Sequence, residues 1–402
     1  MTKRPLPLLP AMLWLLASAS PGSSATYDCP SDPGFCYFDV ANDGCFDAGT
    51  DTGPIDAQLE AGSFPNPLPP GSGLPTDPGS IICPPSVGGI EPVADVDWRT
   101  ALGSHVRLFA ADVVPAANAA FPVDVHIHSG GELLSQGAIE KNQGFVWLRA
   151  EGDVEVNGDL KPSPLDSVAV DSSGASILIG EKVQIQGREI ALNADQDLTL
   201  SHRVSIRERS GGNPGLPLLV AGGDLRMTNP TLQLRERLLE VEAANIRVIG
   251  KATVKNSGTP VPAAGHPCSV AFDAAPGGSI EIDRMALKAV GILCFSGGSL
   301  EIVGGGAGAS TFVLGNHPNG PTSVQISVTG AVDLDRVTFV SPNVEIATSG
   351  TEVDLTNGTL KAPGSSPGST TITTGPASTC DLTGTRLKNM ALTENCGTLI
   401  GP

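Results

Sequence analysis

The chain has 402 residues, a formal net charge of −18 and 4% aromatic residues. So acidic a surface repels nucleic acid and anionic lipid and tolerates cations, which excludes nucleic-acid binding as a function. Beyond the first 25 residues no apolar run is long enough to span a bilayer, so no transmembrane segment is expected.

Residues 1–25 read as a secretory signal peptide. Lys3 and Arg4 precede an apolar run from Ala11 to Ala17, and small residues follow, with cleavage expected after Ala19 or Ala25. No cysteine stands at a lipobox position, so a lipid anchor is not expected. The mature chain is therefore expected to be exported: extracellular, or periplasmic in a Gram-negative host. Loss of Lys3 and Arg4 takes its charge from −18 to about −20.

The segments that follow differ in composition. Residues 26–61 are rich in cysteine and aspartate, and residues 62–94 are rich in proline and glycine and read as a linker. Residues 95–120 are expected to form an N-terminal cap, with a short helix over Asp95–Leu108 covering the first coil's open edge. Residues 121–396 carry a strand pattern, and 397–402 form a tail.

The strand pattern starts at Val123-Asp124-Val125-His126-Ile127-His128 and continues through Val146-Trp147-Leu148 and Val154-Glu155-Val156. From Ile177 to Val248 it becomes a regular apolar-any-apolar triplet. The pairs are Ile177/Ile179, Val183/Ile185, Ile190/Leu192, Leu198/Leu200, Val204/Ile206, Leu218/Val220, Leu225/Met227, Leu232/Leu234, Leu239/Val241 and Ile246/Val248. Their first members are 6, 7, 8, 6, 14, 7, 7, 7 and 7 residues apart, the double step holding the Gly/Pro-rich stretch Arg207 to Pro217.

Spacing of seven invites a coiled coil, but residues at i and i+2 lie about 200° apart on a helix and on one face of a strand. A heptad seam also needs apolar residues three and four apart and few glycines, whereas Gly180, Gly187, Gly222 and Gly250 punctuate this segment. Short strands three to a turn of about 21 residues describe a parallel β-solenoid. Looser triplets follow at Ile280/Ile282, Leu300/Ile302, Val324/Ile326, Val332/Leu334, Val337/Phe339, Val344/Ile346 and Val353/Leu355. The expected fold is all-β, a single parallel β-helix of roughly 11–13 turns and about 50–60 Å, with a small disulfide-containing N-terminal region.

These triplets resemble those of the secreted right-handed parallel β-helix proteins, the group holding pectate lyases, polygalacturonases and adhesin-like proteins. The resemblance covers about two-thirds of the chain. It implies the fold and a right-handed coil, and leaves activity to be argued from the site.

An even count of eight cysteines in an exported chain favours disulfides. Cys268 with Cys294 and Cys380 with Cys396 each span roughly one turn and are the expected bridges. Cys29, Cys36, Cys45 and Cys83 allow three pairings among themselves. No CxxC spacing supports a zinc site.

Three constellations are candidates for chemistry. Asp333 and Asp354 are the middle residues of triplets 21 apart, so both are expected to point outward on neighbouring turns about 5 Å apart. Glu281 and Glu301 form a similar stack. Such pairs suit glycoside cleavage or a shared Ca²⁺, and they equally suit the solvated face of an acidic solenoid. Asp124, His126 and His128 share one strand face and make a His-x-His zinc candidate lacking a further local ligand.

The stretch Asp39 to Thr50 resembles an EF-hand or dockerin calcium loop through Asp39, Asp43, Gly44 and Asp47. It departs at Ala41 and at Thr50, which replaces the bidentate carboxylate. Asn357-Gly358-Thr359 is a glycosylation sequon. No phosphate loop, nucleophile elbow or Ser/His/Asp set appears.

The outward positions Gln184, Ala191, Thr199, Ser205, Arg226, Gln233, Glu240 and Arg247 make a mixed surface without a sugar-stacking aromatic. The polygalacturonase sets Asn-Thr-Asp, Asp-Asp, Gly-His-Gly and Arg-Ile-Lys are absent. The expectation is a non-enzymatic extracellular or cell-surface structural or adhesion module whose partner is a cell-surface polysaccharide or another surface protein. The rival is a polysaccharide lyase or glycoside hydrolase using the outer carboxylates. Ca²⁺ is the one cofactor the sequence suggests.

Overall fold

The computed structural model describes residues 123–401 apart from short segments at 130, 136–137, 141–142, 163–166, 210–217, 236–238, 258–267, 305–308 and 316–320. Before these it describes only the strands Cys36–Tyr37, Phe46–Asp47, Ser80–Cys83, Val96–Arg99 and His105–Leu108. The fold is an all-β parallel solenoid. A 13-stranded sheet forms one face and a 23-stranded sheet bends along its length to form the other two. Going round one turn, Val332–Asp335 lies on the first face, Val337–Val340 on the second and Asn343–Thr348 on the third.

Alternation decides which residues fill the tube. Nine of the ten regular triplets bury both apolar members, as do Ile280/Ile282, Leu300/Ile302, Val332/Leu334 and Val353/Leu355. Because the side-chain period along a strand is two, each triplet's middle residue is forced outward. The exception is Leu218/Val220. Here Leu219 and Ala221 point inward, Leu219 pairing with Leu192 and Val241, while Val220 pairs with Asn193 and faces out. The run Leu218-Leu219-Val220-Ala221 is apolar throughout, so its pattern does not select a face.

Inside the tube, like side chains stack from turn to turn. Phe272 lies on Phe295 at 5.4 Å, Phe295 meets Phe312 edge-on at 6.0 Å, and Phe312 lies 5.1 Å from Phe339. All four are fully buried, and such aromatic contacts add to burial. At the corner between the first and second faces the backbone reverses through left-handed residues, among them Asn229 with φ 48° and Arg336 with φ 54°. Asn229 suits this conformation because its short amide bonds locally. Its Oδ1 accepts from the Lys251 N–H of the next turn at 2.7 Å.

Turn length alternates. Along the first face, Ile177, Leu198, Leu225, Ile246, Ile280, Leu300, Val332, Val353 and Cys380 stand in one register, so successive steps are 21, 27, 21, 34, 20, 32, 21 and 27 residues. The extra residues lie chiefly at the corner between the second and third faces. Thr359–Lys361 to Gly368–Thr373 is a long crossing, and the turn before it crosses from Val337–Val340 to Asn343–Thr348 in two residues.

Val96–Arg99 and His105–Leu108 are strands, not a capping helix. Val96–Arg99 pairs in parallel with the strand of Val123–Ser129, and His105–Leu108 pairs with Leu133–Ser135. Ser80–Cys83, within the Pro/Gly-rich stretch, pairs with His105–Leu108. Val96-Asp97-Trp98-Arg99 and His105-Val106-Arg107-Leu108 alternate with period two, which suits a strand template already present in the neighbouring turn.

Cys268–Cys294 and Cys380–Cys396 are bridged as expected. The side chains of Cys29, Cys36, Cys45 and Cys83 lie outside the described part, so their pairing does too; the backbones of Cys36 and Cys83 lie on strands. No helix among the described residues is long and apolar enough to cross a membrane.

Candidate functional site

Asp333 and Asp354 are direct register partners, as are Glu281 and Glu301. The two pairs belong to one row, because Glu301 is the partner of Asp333 and Asp354 is the partner of Asp381. Five carboxylates therefore stand on consecutive turns of the first face, one strand spacing of about 4.8 Å apart. The row is bounded by Arg247, whose Nε lies 3.2 Å from Glu281 Oε2, and by Ile400. Asp381 completes it from Cys380-Asp381-Leu382, a triplet visible only when the inward Cys380 is counted as apolar.

Electrostatics differ from rung to rung. Partial burial pushes the Asp333 carboxyl above its ordinary range, with the charges of Asp335 and Glu352 adding to the effect. Asp354 is raised likewise by burial, then by Glu352, Asp333 and Asp381 and by a hydrogen bond with Glu352. Asp335 is held low. Burial alone would raise it, but Arg336 Nε donates to it at 2.8 Å, Asn357 Nδ2 at 3.2 Å and Thr356 Oγ1 at 3.4 Å. Asp381 is lowered by hydrogen bonding with Thr383, whose backbone N–H donates at 2.8 Å.

A second polar group lies on the outer side of the third face. Asp171 accepts hydrogen bonds from Trp147 Nε1 at 2.5 Å and from Asn193 Nδ2 at 2.8 Å, and the Arg149 guanidinium sits 5.9 Å from the Trp147 ring centre. Burial raises the Asp171 carboxyl, and the two hydrogen bonds and Arg149 counter this. The register brings Trp147, Ala169 and Ala191 into one row and Arg149, Asp171 and Asn193 into the next. Trp147 is readable as the outward member of Val146-Trp147-Leu148. The distance from Trp147 to Asp171 in sequence hides the contact.

For the other candidates less is described. Asp124, His126 and His128 lie on the strand Val123–Ser129, which carries a register irregularity between Val123 and Val125, and their side chains are outside the described part. Asp39 and Asp43 are outside it altogether, and Asp47 is placed only by its backbone, opposite Cys36 in a short antiparallel pair. Among the described residues no three His, Cys, Asp or Glu side chains are grouped to hold a metal ion. The carboxylate row thus offers its acids singly along a line rather than converging on a point.

The fold and this row define the molecule as an all-β parallel solenoid with a lengthwise carboxylate ladder. No protein-family model, no curated protein and no solved structure matches the chain.

Proposed function

We propose that this is an exported, non-enzymatic β-solenoid that serves as an extracellular or cell-surface structural or adhesion module. One observation carries the proposal: Asp333 and Asp354, the best-placed carboxylate pair, are perturbed in the same direction by the same causes. An acid/base pair needs environments that push its two members apart. Two neighbouring acids raised together, each by burial and by nearby carboxylates, suit a surface better than a reaction centre. The four phenylalanines from Phe272 to Phe339 are all core, so they give the row no sugar-stacking platform. The two disulfides agree with an oxidising compartment.

The rival reading, a β-helix polysaccharide lyase or glycoside hydrolase of the pectate-lyase-like group, keeps one supporting observation. Neighbouring rungs at about 4.8 Å lie near the carboxyl separation of about 5–5.5 Å found in retaining glycosidases. Screening the purified protein on a panel of surface polysaccharides for both binding and product release separates the two. Binding without product is expected; product release that disappears in Asp354→Asn establishes the rival.

A further inference from the structure

The second face carries a feature opposite in sign to the first. Register places Arg207, Lys255, Lys288, Lys361 and Lys388 in a single outward row, with Gln233, Val313 and Val340 at the intervening rungs. All five cations are exposed. A parallel row beside them holds Thr231, Thr253, Thr311, Thr338 and Thr359, interrupted by Ala286. Ion pairs among the described residues include Lys161 with Asp159, Arg247 with Glu281, Arg284 with Asp283 and Arg336 with Asp335. None of these involves the cationic row, and of the carboxylate row they take in Glu281 alone.

We infer that two copies of this chain dock side by side, the lysine–threonine face of one against the carboxylate face of the other. Both rows have the same pitch because both are set by the strand spacing of about 4.8 Å. They also occupy the same turns. Glu281 and Lys288 lie on one strand, Ser279–Val290, and Asp354 with Lys361 and Asp381 with Lys388 sit on consecutive strands of single turns.

Two copies held level with their axes parallel therefore bring Glu281, Asp354 and Asp381 opposite Lys288, Lys361 and Lys388. Glu301 and Asp333 then face Val313 and Val340, Glu301 one rung from Lys288 and Asp333 one rung from Lys361. The threonine hydroxyls supply further donors. Docking relieves like-charge crowding on both partners at once, which no neutral ligand does.

A copy of net charge −18 repels another at long range. The Debye length at physiological ionic strength is about 8 Å, so that repulsion is largely screened while contacting rungs are not. Complementary rows of this kind set register and partner choice. Because the contact joins two different faces, the pair keeps one free face of each kind, and association continues into an open array unless the rotation closes it. The inference extends the structural reading above, and its test is separate.

The test is sedimentation velocity of the full chain over a concentration series, with two surface variants checked for folding by circular dichroism. Lys288→Glu/Lys361→Glu reverses two of the five cations of the lysine row, and Glu301→Lys/Asp354→Lys reverses two of the five acids of the carboxylate row. The wild type is expected to self-associate, each variant alone to do so at least about tenfold more weakly, and an equal mixture of the two to regain association.

A wild type that stays monomeric to its solubility limit overturns the inference. So do variants that assemble like the wild type, or a mixture that does not assemble. Capture of an acidic polysaccharide by a monomeric wild type, lost in Lys288→Glu/Lys361→Glu, would assign the lysine row to a glycan instead. Each of these results leaves the polysaccharide-panel outcome standing, so the two readings fail separately.

Discussion

Replacing Asp333 by Asn should stabilise the protein near neutral pH. Asp333 stands between Glu301 and Asp354 in the row, each one strand spacing away. Two unit charges at about 4.8 Å in water repel by roughly 0.9 kcal/mol, and screening at physiological ionic strength brings this to about 0.5 kcal/mol. Two neighbours give about 1 kcal/mol. Asp333 is exposed, so the figure is an upper bound, and about 0.5 kcal/mol is the working expectation.

The sign with pH follows from the raised carboxyl. Wild-type Asp333 favours the folded state at pH below the unfolded carboxylate value of about 3.9, and that contribution is lost as pH rises through its raised folded value. The advantage of Asp333→Asn should therefore be absent in acid, appear as pH rises above the unfolded carboxylate value of about 3.9 and shrink with added salt. Thermal melts at dilute, monomeric concentration should show a rise of about 0.5–1 °C at neutral pH and low salt. A variant that melts lower than wild type at neutral pH, or gains equally in acid, would refute the reasoning.

Other substitutions probe the scaffold. Gly330→Ala should lower the melting temperature and broaden the transition, because an added Cβ would lie 2.6 Å from the Gly298 carbonyl oxygen of the previous turn. Phe295→Ala, which empties the centre of the phenylalanine stack, should cost about 3–5 kcal/mol in denaturant titration. Reducing Cys380–Cys396, which closes 16 residues, should remove up to about 3 kcal/mol and do so locally. Hydrogen exchange should quicken over Met390–Asn395 and Thr398–Ile400, largely exposed strands of the last turn, and stay unchanged in turns before Ile282.

The triplets made the solenoid legible because a buried face with period two leaves an unmistakable trace wherever polar residues alternate with apolar ones. The trace fails at Leu218–Ala221, where every residue is apolar and the pairing with Leu192 and Val241 chooses the face. It is weak again at Val96–Arg99 and His105–Leu108, where four alternating residues are too few to choose strand over helix without the neighbouring strands that template them.

Stacking of Asp333 on Asp354 was readable because that step is a plain 21 residues. Joining Glu301 to Asp333 takes a step of 32, whose extra length is spent at corners that the pattern cannot count. The lysine row is harder still. Lys255 and Lys288 are separated by 33 residues and Lys361 and Lys388 by 27, so only the register shows them to be neighbours.

Alternation of short and long turns fixes how this chain can grow or shrink. Removing the single turn from Leu225 to Ile246 would set two long crossings on adjacent levels, whereas removing the pair from Leu225 to Ile280 keeps their phase. The unit that duplication or deletion can add or take away cleanly is thus a double turn of about 50 residues. A homologue or an engineered variant of different length should differ from this one by whole double turns.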